Sequence, residues 1–226
     1  MKRYRLLFLT IFFLSLAAAT PALAHNPRLV YGKSAPISAP IIISNPDVSQ
    51  AFYGHLKGDA EYYQINLQQK QDFYFHTLVP AVPGITKDVS AELLSADGTL
   101  VVALDAKESD WPAYHEEFAN DNYFAGPEKT VNLEPGTYTV KISNGINEGK
   151  YVLVVGHKEY FPPKEIIGTI INLPALKIYF ETSPLSAYFN YVGVFMAGLV
   201  ISISIVFFLV RFVYRRIKKS VKNVKK

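Results

Sequence analysis

The chain contains no cysteine. Thiol catalysis, cysteine zinc sites and covalent haem attachment are therefore excluded. Disulfides are excluded too, so a folded domain here rests on an apolar core. No Asn-X-Ser/Thr triplet occurs, so N-glycosylation has no acceptor. Nucleophile-elbow, phosphate-loop and paired-histidine metalloprotease patterns are all missing. So is any regular alternation of strand and helix signals, which argues against a doubly wound parallel sheet.

Charge is missing from two stretches. Leu6 to Ala19 is an uncharged apolar run that follows Lys2, Arg3 and Arg5. It is too short to span a bilayer comfortably and ends at Ala22-Leu23-Ala24, a small-residue cleavage pattern. Residues 1–24 are read as a signal peptide, with His25 as the mature N-terminus. The second stretch runs from Thr182 to Val210 without a charge. Its core, Val192 to Val210, is about 28 Å long at about 1.5 Å per residue, close to the hydrocarbon thickness of a membrane. Tyr188, Tyr191 and Tyr214 flank it as an aromatic belt would. A tail with eight Lys or Arg and no acid follows.

By the positive-inside rule that tail is cytoplasmic. The expected layout is a signal peptide (1–24), an exported domain (25–161), a juxtamembrane segment (162–187), a transmembrane helix (188–214) and a basic tail (215–226). The expected location is the cell membrane, single-pass, with the N-terminal domain outside. The net charge of +4 reflects these topology devices. Without the leader's three and the tail's eight positive charges, the intervening chain stands at −7. The basic balance thus points to anionic headgroups, with membrane lipid as a partner, and not to nucleic acid.

From Ile41 to Tyr160 the chain reads as short strands broken by turns. Asn45-Pro46-Asp47, Lys57-Gly58-Asp59 and Glu134-Pro135-Gly136 punctuate the runs, and Asp97-Gly98 is the best hairpin signal. Tyr138, Val140 and Ile142 alternate with Thr137, Thr139, Lys141 and Ser143, one face inward and one outward. The expected fold is all-β, an antiparallel β-sandwich. In the segment before the span, Ile166, Ile167, Ile170 and Ile171 suit one apolar helical face, and Pro174 is expected to end or kink that helix.

The stretches GDAEYYQINL, AELLSADGTLV and LEPGTYTVKISNGINEGKYVLVV occur in the order typical of the bacterial pre-peptidase C-terminal domain. Asp59, Tyr62, Tyr63, Leu94, Asp97, Gly98, Gly136, Thr137, Tyr138, Val140, Tyr151 and Leu153 carry the resemblance. It implies a jelly-roll-like sandwich used for binding or secretion, with no catalytic residue among the matched positions.

Two candidate sites emerge. Cleavage before His25 would give it a free amine beside its imidazole, two of the nitrogen ligands that a copper brace uses. The other histidines are His55, His76, His115 and His157. The segment from Asp105 to Lys129 is the richest in functional groups. Asp105, Asp110, His115, Glu116, Glu117 and Asp121 could hold a hard cation such as calcium. Trp111, Tyr114, Phe118, Tyr123 and Phe124 could face a partner or a sugar, or fold back onto the core. The expectation is a membrane-anchored, non-catalytic module for a protein or polysaccharide. The alternative is a copper- or calcium-binding exported protein. A cofactor is otherwise not expected.

Overall fold

The structure, a computed structural model, describes residues 25–117 and 119–224. The signal-peptide reading and Phe118 lie outside the described residues.

Among the described residues eleven strands form two sheets. The strands are β1 (Asn26–Leu29), β2 (Ile41–Ile42), β3 (Gln50–Lys57), β4 (Glu61–Leu67), β5 (Gln71–Pro80), β6 (Ser90–Ser95), β7 (Leu100–Leu104), β8 (Ala113–Glu116), β9 (Asp121–Leu133), β10 (Gly136–Ser143) and β11 (Glu148–Val155). One sheet runs β1-β3-β11-β5-β9-β8 and the other β2-β4-β10-β6-β7. The pairings are antiparallel except at one edge of each sheet, where β1 joins β3 and β2 joins β4 in parallel. The expected sandwich is present, with this mixed edge as a refinement. The Asp97-Gly98 turn connects β6 to β7, and Gly98 takes the left-handed φ of 83° such a turn requires.

The two sheets differ in what their outer faces meet. In the second sheet Tyr63, Ile65, Leu93, Val140 and Ile142 point into the inter-sheet core, while Gln64, Glu92, Thr139 and Lys141 take the other face. There Lys141 donates to Glu92 on the neighbouring strand (2.8 Å). The first sheet is apolar on both faces. Phe52, Phe75, Tyr151 and Leu153 enter the inter-sheet core. Ala51, Tyr53, Leu78, Val152 and Val154 enter a second core on the outside. Burial on both sides explains why TyrValLeuValVal, residues 151–155, shows no alternation.

The cover of that outer face is α1 (Pro163–Tyr179), which buries Leu173, Leu176 and Tyr179, followed by buried Phe180. Each such side chain contributes about 1.5–3 kcal/mol on leaving water. Pro174 sits inside the helix and does not end it. Packing of Leu173 and Leu176 on either side of the proline holds the helix through it, against its local cost. A short 3₁₀ helix (Pro184–Tyr188) leads to α2 (Tyr191–Val224). Within α2, Met196–Arg216 is long and apolar enough to cross a membrane, and beyond Met196 it stands clear of the sandwich core.

Candidate functional site

The segment from Asp105 onward is more ordered than its composition suggests. Asp105 caps a 3₁₀ turn (Ala106–Glu108), accepting from the Lys107 backbone N–H at 2.9 Å. Trp111 adopts a φ of 52°, and its backbone N–H donates to Ser109 Oγ (3.0 Å). That turn swings the indole into the inter-sheet core, where Nε1 donates to the Ala106 carbonyl (2.9 Å). Tyr123 is buried in the outer core, with its hydroxyl 2.9 Å from that of Tyr53. Tyr114 is half-buried beside Tyr123, ring centroids 6.0 Å apart.

The acidic residues disperse. Asp110 and Glu117 are exposed. His115 is exposed with Nδ1 2.8 Å from Asn122 Oδ1. Glu116 is buried and accepts from the Ala119 backbone N–H (2.8 Å). Asp121 turns inward to Lys177. Among the described residues no group of three or more His, Asp or Glu side chains is gathered for a metal ion.

His25 precedes β1 and sits with Nδ1 2.5 Å from Ser49 Oγ. A brace needs that same nitrogen beside the amine, so the hydrogen bond and a copper ion compete for it. Burial, then the nearby His76 and His157, lower its pKa to about 4. Its imidazole is neutral at physiological pH.

A set of buried polar groups, of which the sequence singled out only Asp121, joins the sandwich to the base of the apolar helix. Lys177 on α1 lies 2.5 Å from Asp121 Oδ1, and both side chains are 3% exposed. Its ammonium also donates to the Ala119 carbonyl. Asn190, just before α2, donates to the same carbonyl from Nδ2 (3.1 Å). Asp121 Oδ2 is buried and has no hydrogen-bond partner among the described residues. Burial pushes the Asp121 carboxyl up, and the Lys177 ammonium opposes that shift. Alongside, the Tyr179 hydroxyl donates to the Gly54 and Tyr151 carbonyls (2.8 and 2.7 Å). Met196, in the first turns of α2, packs against the same core. Lys177 had a signal in the sequence: between Glu165 and Glu181 it is the one charge in an otherwise apolar stretch.

Clefts among the described residues include two of similar size. One, of about 560 Å³, lies between the edge strands β1 and β2 and the start of α1. Arg28, Lys33, Asn45, Gln50, Glu165 and Asn172 contribute its polar lining. Arg28 there bridges Gln50 Oε1 (3.2 Å) and Glu165 Oε2 (2.7 Å). The other, of about 570 Å³, lies at the end that carries His55, Lys57, Ile85 and Ile146.

No protein-family model matches the chain, and no curated protein matches it. Among solved structures it is similar to the pre-peptidase C-terminal domain of a collagenase from Bacillus anthracis. The identity is 12%, the match covers 58% of this chain and 95% of that one, and the TM-score is 0.32. It is also similar, at 15% identity and a TM-score of 0.28, to a family GH115 4-O-methyl-α-glucuronidase with specificity for decorated arabinogalactans. That match covers 48% of this chain and 14% of the glucuronidase.

Proposed function

We propose that the chain is a single-span membrane protein that holds a non-catalytic β-sandwich on the outer side of the cell membrane as a binding module. The observation that carries this reading is the clamp of Lys177 and Asn190 on the turn between β8 and β9. It fixes the sandwich to the base of the apolar helix, without a free linker between Met196 and the outer core. A module mounted this way presents its remaining surfaces at a set angle to the bilayer. Trp111 and Tyr123 serve the cores, so contacts from their segment would come from Asp110, Tyr114, His115 and Glu117.

The cleft between β1 and β2 is the better ligand surface. Its volume falls within the range of about 300–1,000 Å³ typical of ligand sites. Arg28, Lys33 and Asn172 supply donors for a carboxylate or for sugar hydroxyls, while Gln50 Nε2 is committed to the Ser44 and Asn45 carbonyls, and the edge strands leave backbone groups for a peptide. The test is a glycan array together with photocross-linking on the full chain in detergent. A retained sugar or cross-linked protein, lost when Arg28→Ala and Lys33→Ala are combined, is the expected result. Turnover of a hydrolase substrate with no such retention would contradict it.

A further inference from the structure

The exposed positions of α1 beyond its first turn are Ile166, Ile167, Ile171 and Ile178. Ile167, Ile171 and Ile178 are 59%, 70% and 59% exposed. At about 100° per residue these three fall within one narrow stripe, while Leu173 and Leu176 fall on the far side, against the sheet. Of the three charges of α1, Glu165 pairs with Arg28 and Lys177 is buried against Asp121; exposed Lys164, in the first turn, borders the stripe at its N-terminal end, where a lysine on an apolar stem reaches headgroups. The helix is thus apolar on both sides, with a sheet covering only one of them. Past its end, beyond the exposed polar residues Glu181, Thr182 and Ser183, the chain exposes Leu185 and Phe189, 69% and 81%. It then enters the lipid-competent helix at Met196.

We infer that this isoleucine stripe, together with Leu185 and Phe189, is a lipid-contacting sole. It rests in the bilayer leaflet on the sandwich's own side. The covered sheet therefore faces the membrane, and the polar outer face of the β2-β4-β10-β6-β7 sheet faces away. Proximity to the span identifies lipid as the occupant, since Lys177 of α1 and Asn190 at the base of α2 hold the same Ala119 carbonyl. The clamp at Asn190 holds α1 close to the base of α2, and an exposed apolar face there meets the acyl boundary before any soluble partner. This inference rests on the single-span reading.

The absence of native cysteine makes the test clean. Single variants Ile171→Cys, Ile167→Cys, Phe189→Cys, Asn66→Cys and Val206→Cys are made in the full chain. They are spin-labelled and reconstituted in phosphatidylcholine vesicles. Collision rates with oxygen and with a water-soluble nickel chelate then give the depth of each label. The labels at 167, 171 and 189 are expected to read as interfacial, between the aqueous value at Asn66 and the hydrocarbon value at Val206. Ile167→Cys substitutes for Ile171→Cys should the latter misfold. Labels on α1 that match Asn66 overturn the sole while Val206 remains in hydrocarbon. Labels shielded from both reagents also overturn it, since they place a protein partner on the stripe. An aqueous reading at Val206 sinks the span itself, and the sole with it.

Discussion

Lys177 Nζ and Asp121 Oδ1 meet at 2.5 Å with both side chains withdrawn from water. The pair joins α1 to the first residue of β9. A buried ion pair is costly to assemble and far more costly to break from one side. Lys177→Met is expected to destabilise the protein by about 3–5 kcal/mol, because Asp121 and the Ala119 carbonyl lose their partner. Adding Asp121→Leu is expected to recover most of that loss. Chemical denaturation of the detergent-solubilised chain measures both, and a neutral single substitution would show that the pair is not buried.

Trp111 is the single tryptophan and stands in the core. Its emission is expected to be blue-shifted and poorly quenched by iodide. A Cβ at Gly126 would lie 2.6 Å from Trp111 Cη2 and 2.7 Å from the Thr77 carbonyl. Gly126→Ala is therefore expected to displace the indole, red-shift the emission and cost about 1–3 kcal/mol. An unchanged spectrum would contradict the packing.

The Tyr151 hydroxyl lies 2.7 Å from that of Tyr63 and donates to Glu61. Burial pushes the Glu61 carboxyl up, and the Tyr151 hydrogen bond holds part of that shift back. Tyr151→Phe leaves the buried carboxyl without this donor and is expected to cost about 1–3 kcal/mol. Tyr63→Phe removes only the hydroxyl partner and is expected to cost less. Thermal unfolding of the two variants gives the ranking, and the reverse order would contradict it.

His25 has its pKa lowered to about 4 from 6.5. Below pH 6.5 the unfolded chain binds a proton that the folded chain refuses, so stability falls as pH drops from about 6.5 to about 4. His76 is lowered by burial and adds in the same direction. The wild type is expected to lose more stability between pH 7 and pH 4.5 than His25→Gln does. Equal losses would show that His25 titrates normally.

The local parts of this fold were legible. The Asp97-Gly98 hairpin and the inward set of Val140 and Ile142 follow from turn chemistry and a period of two. The parts fixed at long range were not. β1 pairs in parallel with β3, and a four-residue run carries no signal for a partner about 24 residues along the chain. Trp111 and Tyr123 look like exposed binding aromatics until Ala106 and Tyr53 supply their hydrogen-bond partners. Pro174 looks like a helix stop until Leu173 and Leu176 are seen packed around it. The acids from Asp105 to Asp121 look like one ligand set, yet alternation along β8 and the pull of Lys177 send them in different directions.

A single-span anchor requires the sandwich and the basic tail to lie on opposite sides of one membrane. Intact cells carrying Asn66→Cys or Ser220→Cys, treated with a membrane-impermeant maleimide, test this most directly. Labelling of Asn66→Cys in intact cells, and of Ser220→Cys only after lysis, is the expected result. Labelling of Ser220→Cys in intact cells with Asn66→Cys protected would contradict it.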